Sequence, residues 1–225
     1  KHTNAFASTI ADFNGDGCGD VVMSNYKKST RVWMSHYGKH LPRTLKELKI
    51  ENYYGTGNTY VNYMTSGDLD GDGDPDLVAA ISRLDPYYLG RKILIFINEE
   101  GELIEKTKTL IQDERDQDIE GKLQNHGEGT IRLVDHDRDG DLDIIDTTAI
   151  YGGAGYEIYP RVTLALNNGS GVFMEVAEDF FPSRMDFSYF DEFSAMGTTG
   201  TPVIQRSGVI DLDGNGWLDF VSHIY

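Results

Sequence analysis

The chain has 225 residues, with 37 acidic against 20 basic side chains and a formal charge of −17. That balance excludes the basic stripe a nucleic-acid partner needs. Apolar residues at 39% and aromatics at 11% are too abundant for a disordered acidic segment, so a packed core is expected. The longest apolar runs, such as Ile93 to Ile97, are far short of a membrane span. Cys18 is the only cysteine, which rules out an intrachain disulfide. No apolar leader follows Lys1, so the expectation is either a cytosolic chain or a mature or excised piece of a secreted one.

One nine-residue pattern, D-x-[DN]-x-[DN]-G-x-x-D, occurs four times, at 12–20, 68–76, 135–143 and 211–219. The first positions are 56, 67 and 76 residues apart, intervals that suit one supersecondary unit. Oxygen side chains at positions 1, 3 and 5 converge if the chain curls tightly. The glycine at position 6 (Gly17, Gly73, Gly140, Gly216) permits the bend. Position 7 (Cys18, Asp74, Asp141, Trp217) varies freely, as expected if only its backbone carbonyl is used. Position 9 is aspartate throughout. Like charges packed this densely repel one another, and a hard cation with six to eight oxygen ligands offsets that repulsion, so Ca²⁺ is expected at about four sites.

The flanks exclude an EF-hand. Position 12 is Met23, Ala79, Asp146 and Ser222, never the bidentate glutamate that module requires. The flanks read as strands rather than helices. Before the loops come Tyr60–Met64, Thr130–Val134 and Val203–Gln205. After them come Val21–Met23, Leu77–Ile81, Leu142–Ile145 and Leu218–Val221. A third strand is expected at Arg31–Met34, Lys92–Ile97 and Arg161–Leu166, and a fourth, for example, at Val172–Val176. Asn168-Gly169 is a tight-hairpin signal between third and fourth strands. Four antiparallel strands per unit make a propeller blade, so the fold class is all-β, a β-propeller.

With these loops and strands in place, the units resemble the FG-GAP/VCBS repeat family, and are similar in the same way to the α-chain head of integrins. The resemblance implies calcium ligands at Asp12, Asn14, Asp16 and Asp20, and at Asp68, Asp70, Asp72 and Asp76. It implies a third set at Asp135, Asp137, Asp139 and Asp143, and a fourth at Asp211, Asp213, Asn215 and Asp219. Loops one and four each have one asparagine for an aspartate and should bind more weakly. The expected units are 1–56, 57–123, 124–199 and an incomplete 200–225, about three and a half to four blades of one partial propeller. Family members of this kind usually close with seven blades, so the remainder of the ring is an expected partner.

Loops in a propeller alternate between two faces. The calcium hairpins and third-to-fourth turns share one. The second-to-third loops and interblade segments share the other, and there tyrosine and arginine gather: Tyr87, Tyr88, Arg91, His126, Tyr151, Tyr156, Tyr159 and Arg161. Such a surface suits an extracellular protein or glycan, and extracellular calcium modules are the ones tuned to millimolar calcium. The alternative is the propeller of a polysaccharide lyase or dehydratase, with His126 and Arg161 as candidates for proton abstraction and charge neutralisation. No catalytic constellation stands out, and no catalytic residue is assigned. His136, at position 2 of the third loop, is expected to face water. Asn168-Gly169-Ser170 is a formal glycosylation sequon whose hairpin role accounts for it better.

Overall fold

In a computed structural model, the described residues are 5–25, 28–36, 39–51, 53–55, 59–83, 89–112, 125–126, 129–151, 158–176, 204–217 and 219–224. They form fifteen strands and one helical turn. The first sheet contains β1 (Ala5–Ala11), β2 (Asp20–Asn25), β3 (Lys28–His36) and β4 (Lys39–Glu47) in that order. The second contains β5 (Thr59–Gly67), β6 (Asp76–Arg83), β7 (Arg91–Glu99) and β8 (Glu102–Glu105), followed by the turn α1 (Thr107–Leu110), which the sequence reading did not anticipate. In the third, β10 (Thr130–Val134), β11 (Asp143–Tyr151), β12 (Ile158–Asn167) and β13 (Phe173–Glu175) follow in order, and β9 (Asn125–His126) pairs with the far end of β11. The fourth is the hairpin β14 (Ile204–Ile210) and β15 (Asp219–Ile224). All strand pairings within the sheets are antiparallel. The fold is all-β and built from propeller blades, and the four sheets do not close a ring.

The second sheet shows why the strands after the loops are continuous apolar runs. Period-two alternation sends Leu77, Ala79, Ile81, Leu94 and Phe96 into a core shared with the first sheet, including Val22 and Val32. Val78, Ala80, Ile93, Ile95 and Ile97 enter a second core with Ile131, Ile144 and Phe173 of the third sheet. A strand buried on both faces needs no polar alternation. First strands of neighbouring sheets lie side by side, with Thr9 Oγ1 3.0 Å from Ser66 Oγ. Those strands therefore line the centre of the array, and β4 and β8 lie at its rim.

Equivalent positions differ in the last described sheet. Phe13 and Leu69, at position 2 of the first two loops, are buried beneath the next sheet. Their counterpart Leu212 is 66% exposed, and Ile210 and Val221 on the same face are 54% and 43% exposed, because no described residue covers them.

Candidate metal centre

Each acidic loop joins the first and second strands of its sheet, as the pairs Ala11↔Asp20, Gly67↔Asp76, Val134↔Asp143 and Ile210↔Asp219 close the hairpins. One hydrogen-bond scaffold recurs in all four. The position-1 carboxylate accepts from the position-6 N–H: Gly17 to Asp12 at 2.6 Å, Gly73 to Asp68 at 3.0 Å, Gly140 to Asp135 at 3.2 Å and Gly216 to Asp211 at 2.8 Å. The position-5 oxygen accepts from the position-7 N–H of Cys18, Asp74, Asp141 and Trp217. These bonds curl the backbone and hold the side-chain oxygens on its inner side. They require a left-handed residue at position 6, where φ runs from 83° at Gly17 to 101° at Gly140. Position 4 is also left-handed, and there loop three places Arg138 at φ 66° where the other loops have glycine.

Position 9 has a second task. Asp20, Asp76, Asp143 and Asp219 each accept from the N–H of position 2, at 3.0, 2.8, 2.8 and 2.8 Å. Asp76 and Asp143 also accept, at 2.8 and 2.9 Å, from the backbone N–H of Asn98 and Asn167 at the ends of β7 and β12. These aspartates are structural staples as well as candidate ligands.

The predicted ligands at positions 1, 3 and 9 converge in three loops. Carboxylate oxygens of Asp68, Asp70 and Asp76 lie within 4.8 Å of one another, as do those of Asp135, Asp137 and Asp143 and those of Asp211, Asp213 and Asp219. Within each trio one oxygen is buried and has no hydrogen-bond partner: Asp70 Oδ1, Asp135 Oδ1 and Asp211 Oδ1. An orphaned anionic oxygen among like charges is costly, and a divalent cation satisfies it, so the donor set fits the group the sequence implied. In loop one the Asn14 amide donates weakly to Asp20 Oδ1 at 3.4 Å, which sets a hydrogen-bond donor against the position-9 carboxylate. Burial pushes the Asp76 carboxyl up to about 6, opposed by the Asn98 and Leu69 N–H groups and reinforced by Asp70 and Asp72. Asp70 and Asp143 are pushed upward by burial first, with neighbouring carboxylates adding to it.

The third-to-fourth turns share the face of the loops. A Cβ at Gly101 would lie 3.6 Å from the Phe13 carbonyl, and one at Gly171 would lie 3.5 Å from Asp70 Cβ. Loops three and four also touch, with the Arg138 guanidinium 4.2 Å from the centre of the exposed Trp217 ring.

Residues 12–79 match the family model of the FG-GAP-like repeat. That stretch carries an FG-GAP-like repeat. The matched stretch opens on Asp12, takes in the first two acidic loops, and ends at Ala79 inside β6. No curated protein matches the chain. Among the described residues, no helix is long and apolar enough to cross a membrane.

The opposite face departs from expectation. Arg91, read as a loop residue for ligand contact, begins β7 and is fully buried. Its Nε and Nη2 reach Asp146 Oδ2 and Oδ1 at 2.9 and 2.6 Å, an ion pair across the second and third sheets. Tyr151, Tyr159 and Arg161 belong to strands rather than a loop, in the pairs Tyr151↔Ile158, Ile150↔Tyr159 and Thr148↔Arg161. His126 also sits in a strand, opposite Ile150. Tyr87, Tyr88 and Tyr156 lie outside the described residues. His136 is half-buried rather than facing water, since position 2 points toward the following sheet.

Sequence reading did not single out Asn98, Asn167 or the Arg91–Asp146 pair. The only local signal for the asparagines was their shared place, Asn98 three residues before Gly101 and Asn167 two before Gly169.

Proposed function

We propose that this chain is a calcium-binding β-propeller module that works outside the cytosol as a recognition platform for a protein or glycan, with the cation in a structural role. The observation that carries the calcium assignment is the repeated loop scaffold, with an orphaned carboxylate oxygen in each of three carboxylate trios. All-oxygen ligation in a flexible loop suits Ca²⁺ better than softer or smaller ions. Asp68, Asp70, Asp72 and Asp76 would hold the ion in the second loop, and the matching positions would do so elsewhere. The bound cation supplies positive charge that relieves the carboxylate repulsion.

The extracellular setting is supported by the low affinity expected of exposed loops, which cytosolic calcium would leave empty. The recognition role is supported by the tyrosine-rich composition of segments 84–91 and 151–161. Thermal unfolding of the chain in calcium and in EDTA tests the first part. With free calcium tenfold above each dissociation constant, each site adds about 1.4 kcal/mol. Four such sites shift the melting temperature by about 10 °C or more. Coincident melting curves would overturn the calcium assignment. A glycan and protein array probed with and without EDTA tests the second, and absence of any calcium-dependent ligand would overturn it.

A further inference from the structure

Asn98 and Asn167 lie outside the acidic motif, yet each touches two of its loops. Asn98 is 2% exposed and Asn167 is 6% exposed. The Asn98 amide donates to the Phe13 carbonyl in the first loop at 2.8 Å, and to the Pro75 carbonyl in the second at 3.2 Å. Its Oδ1 accepts from Gly101, whose turn lies on the first loop. Its backbone N–H is held by Asp76 of the second loop. Asn167 repeats the arrangement one sheet later. It donates to the Leu69 carbonyl at 2.7 Å and to the Leu142 carbonyl at 3.2 Å, accepts from Gly169, and is held by Asp143.

Leu69 and Phe13 complete the line, because each offers its carbonyl to the next sheet and its N–H to its own position-9 aspartate. A continuous path of hydrogen bonds therefore runs from Asp143 through Asn167, Leu69, Asp76, Asn98 and Phe13 to Asp20. Three candidate cation loops stand on that path, and buried hydrogen bonds of this kind are rigid and directional.

We propose that Asn98 and Asn167 are positioning residues that couple neighbouring cation loops, each clamping the loop of the preceding sheet to the position-9 aspartate of its own. Filling the second loop fixes Asp76, hence Asn98, hence the Phe13 carbonyl and the first loop. The same holds for the third loop acting on the second. The coupling is reciprocal in free energy. It rests on the calcium reading above and adds to it that the sites do not fill independently.

Cys18 gives a reporter confined to one loop. It is the only cysteine, stands at position 7 of the first loop, and its N–H is held by Asp16. The experiment follows the reaction of this thiol with a disulfide reagent as calcium is added to the full chain. Asn98→Asp keeps the oxygen that Gly101 uses and removes the donor to Phe13. The calcium concentration giving half-protection of Cys18 should rise about fivefold in this variant. Asp72→Ala, which empties the second loop without touching Asp76, should shift it in the same direction. Thr109→Ala, on the exposed helical turn, should not. Terbium luminescence excited through Trp217 reads the fourth loop, and its midpoint should stay that of the wild type in all three variants. An unshifted Cys18 midpoint in Asn98→Asp or Asp72→Ala overturns the coupling. So does an equal shift in the fourth loop, which marks general destabilisation. A wild-type thiol indifferent to calcium fells the calcium reading itself, and the coupling with it.

Discussion

Arg91 and Asp146, from different sheets, meet as a two-pronged ion pair with neither side chain exposed. Thr130 and Thr147 hydroxyls lie 2.9 Å apart between β10 and β11, and Asn62 accepts from Arg91 Nη1 at 3.4 Å. Water is excluded, so the partners depend on each other. Asp146→Ala leaves a buried, unpaired guanidinium and should cost about 3–5 kcal/mol. The double variant Arg91→Met with Asp146→Leu should cost much less than that single one, because no charge is stranded. Urea unfolding in saturating calcium measures both, and a single-variant loss below about 1 kcal/mol would refute the pairing.

Position 9 and position 5 should separate cleanly when calcium is absent. Asp76 staples Leu69 and Asn98, whereas the exposed Asp72 accepts only from Asp74 among the bonds described. In EDTA, Asp76→Ala should lower unfolding stability by about 2–4 kcal/mol, as two buried N–H groups lose their acceptor. Asp72→Ala should change it by less than about 0.5 kcal/mol. In calcium both variants should lose stability. Equal losses in EDTA would show that position 9 is a ligand and nothing more.

Acidity should act on the calcium-free chain in an unusual direction. The folded Asp76 carboxyl is raised to about 6, above its unfolded value, so the folded state binds the extra proton. Stability from that proton is complete below about pH 4 and is lost as pH rises through about 6. In EDTA, wild type should therefore gain stability relative to Asp76→Asn as pH falls from 7 to 5. Parallel pH profiles would contradict this. The same proton competes with calcium, so apparent calcium affinity should fall below about pH 6.

Gly129 stands where the third sheet admits no side chain. A Cβ there would sit 1.8 Å from the Thr147 carbonyl oxygen, which is backbone and cannot swing aside. Gly129→Ala should destabilise the chain by about 2 kcal/mol or more, whereas Gly214→Ala meets no atom and costs only its left-handed φ, about 1 kcal/mol. Comparable melting temperatures for the two variants would count against the described packing of β10 on β11.

The acidic loops were legible because their information is local. Nine contiguous residues carry the oxygens, the bend and the staple, and apolar runs at their flanks give the strands. Asn98 reaches Phe13 across 85 residues and Asn167 reaches Leu69 across 98, so no window of the sequence contains both partners. Arg91 misled for the same reason. An arginine beside a tyrosine-rich segment reads as a surface residue until its aspartate, 55 residues on, is placed against it. Tyr151 and Tyr159 looked like loop residues because Gly152, Gly153 and Gly155 interrupt the apolar pattern, yet the backbone pairing continues up to that interruption on both sides.

Crystals of the chain grown in millimolar calcium, with anomalous scattering collected just above and just below the calcium K edge, test the cation assignment most directly. The account predicts an anomalous peak bounded by Asp68, Asp70 and Asp76, one in the loop at Asp135, and weaker ones in the loops at Asp211 and Asp12. Loops holding only water, with Asp70, Asp135 and Asp211 turned outward to solvent, would contradict it.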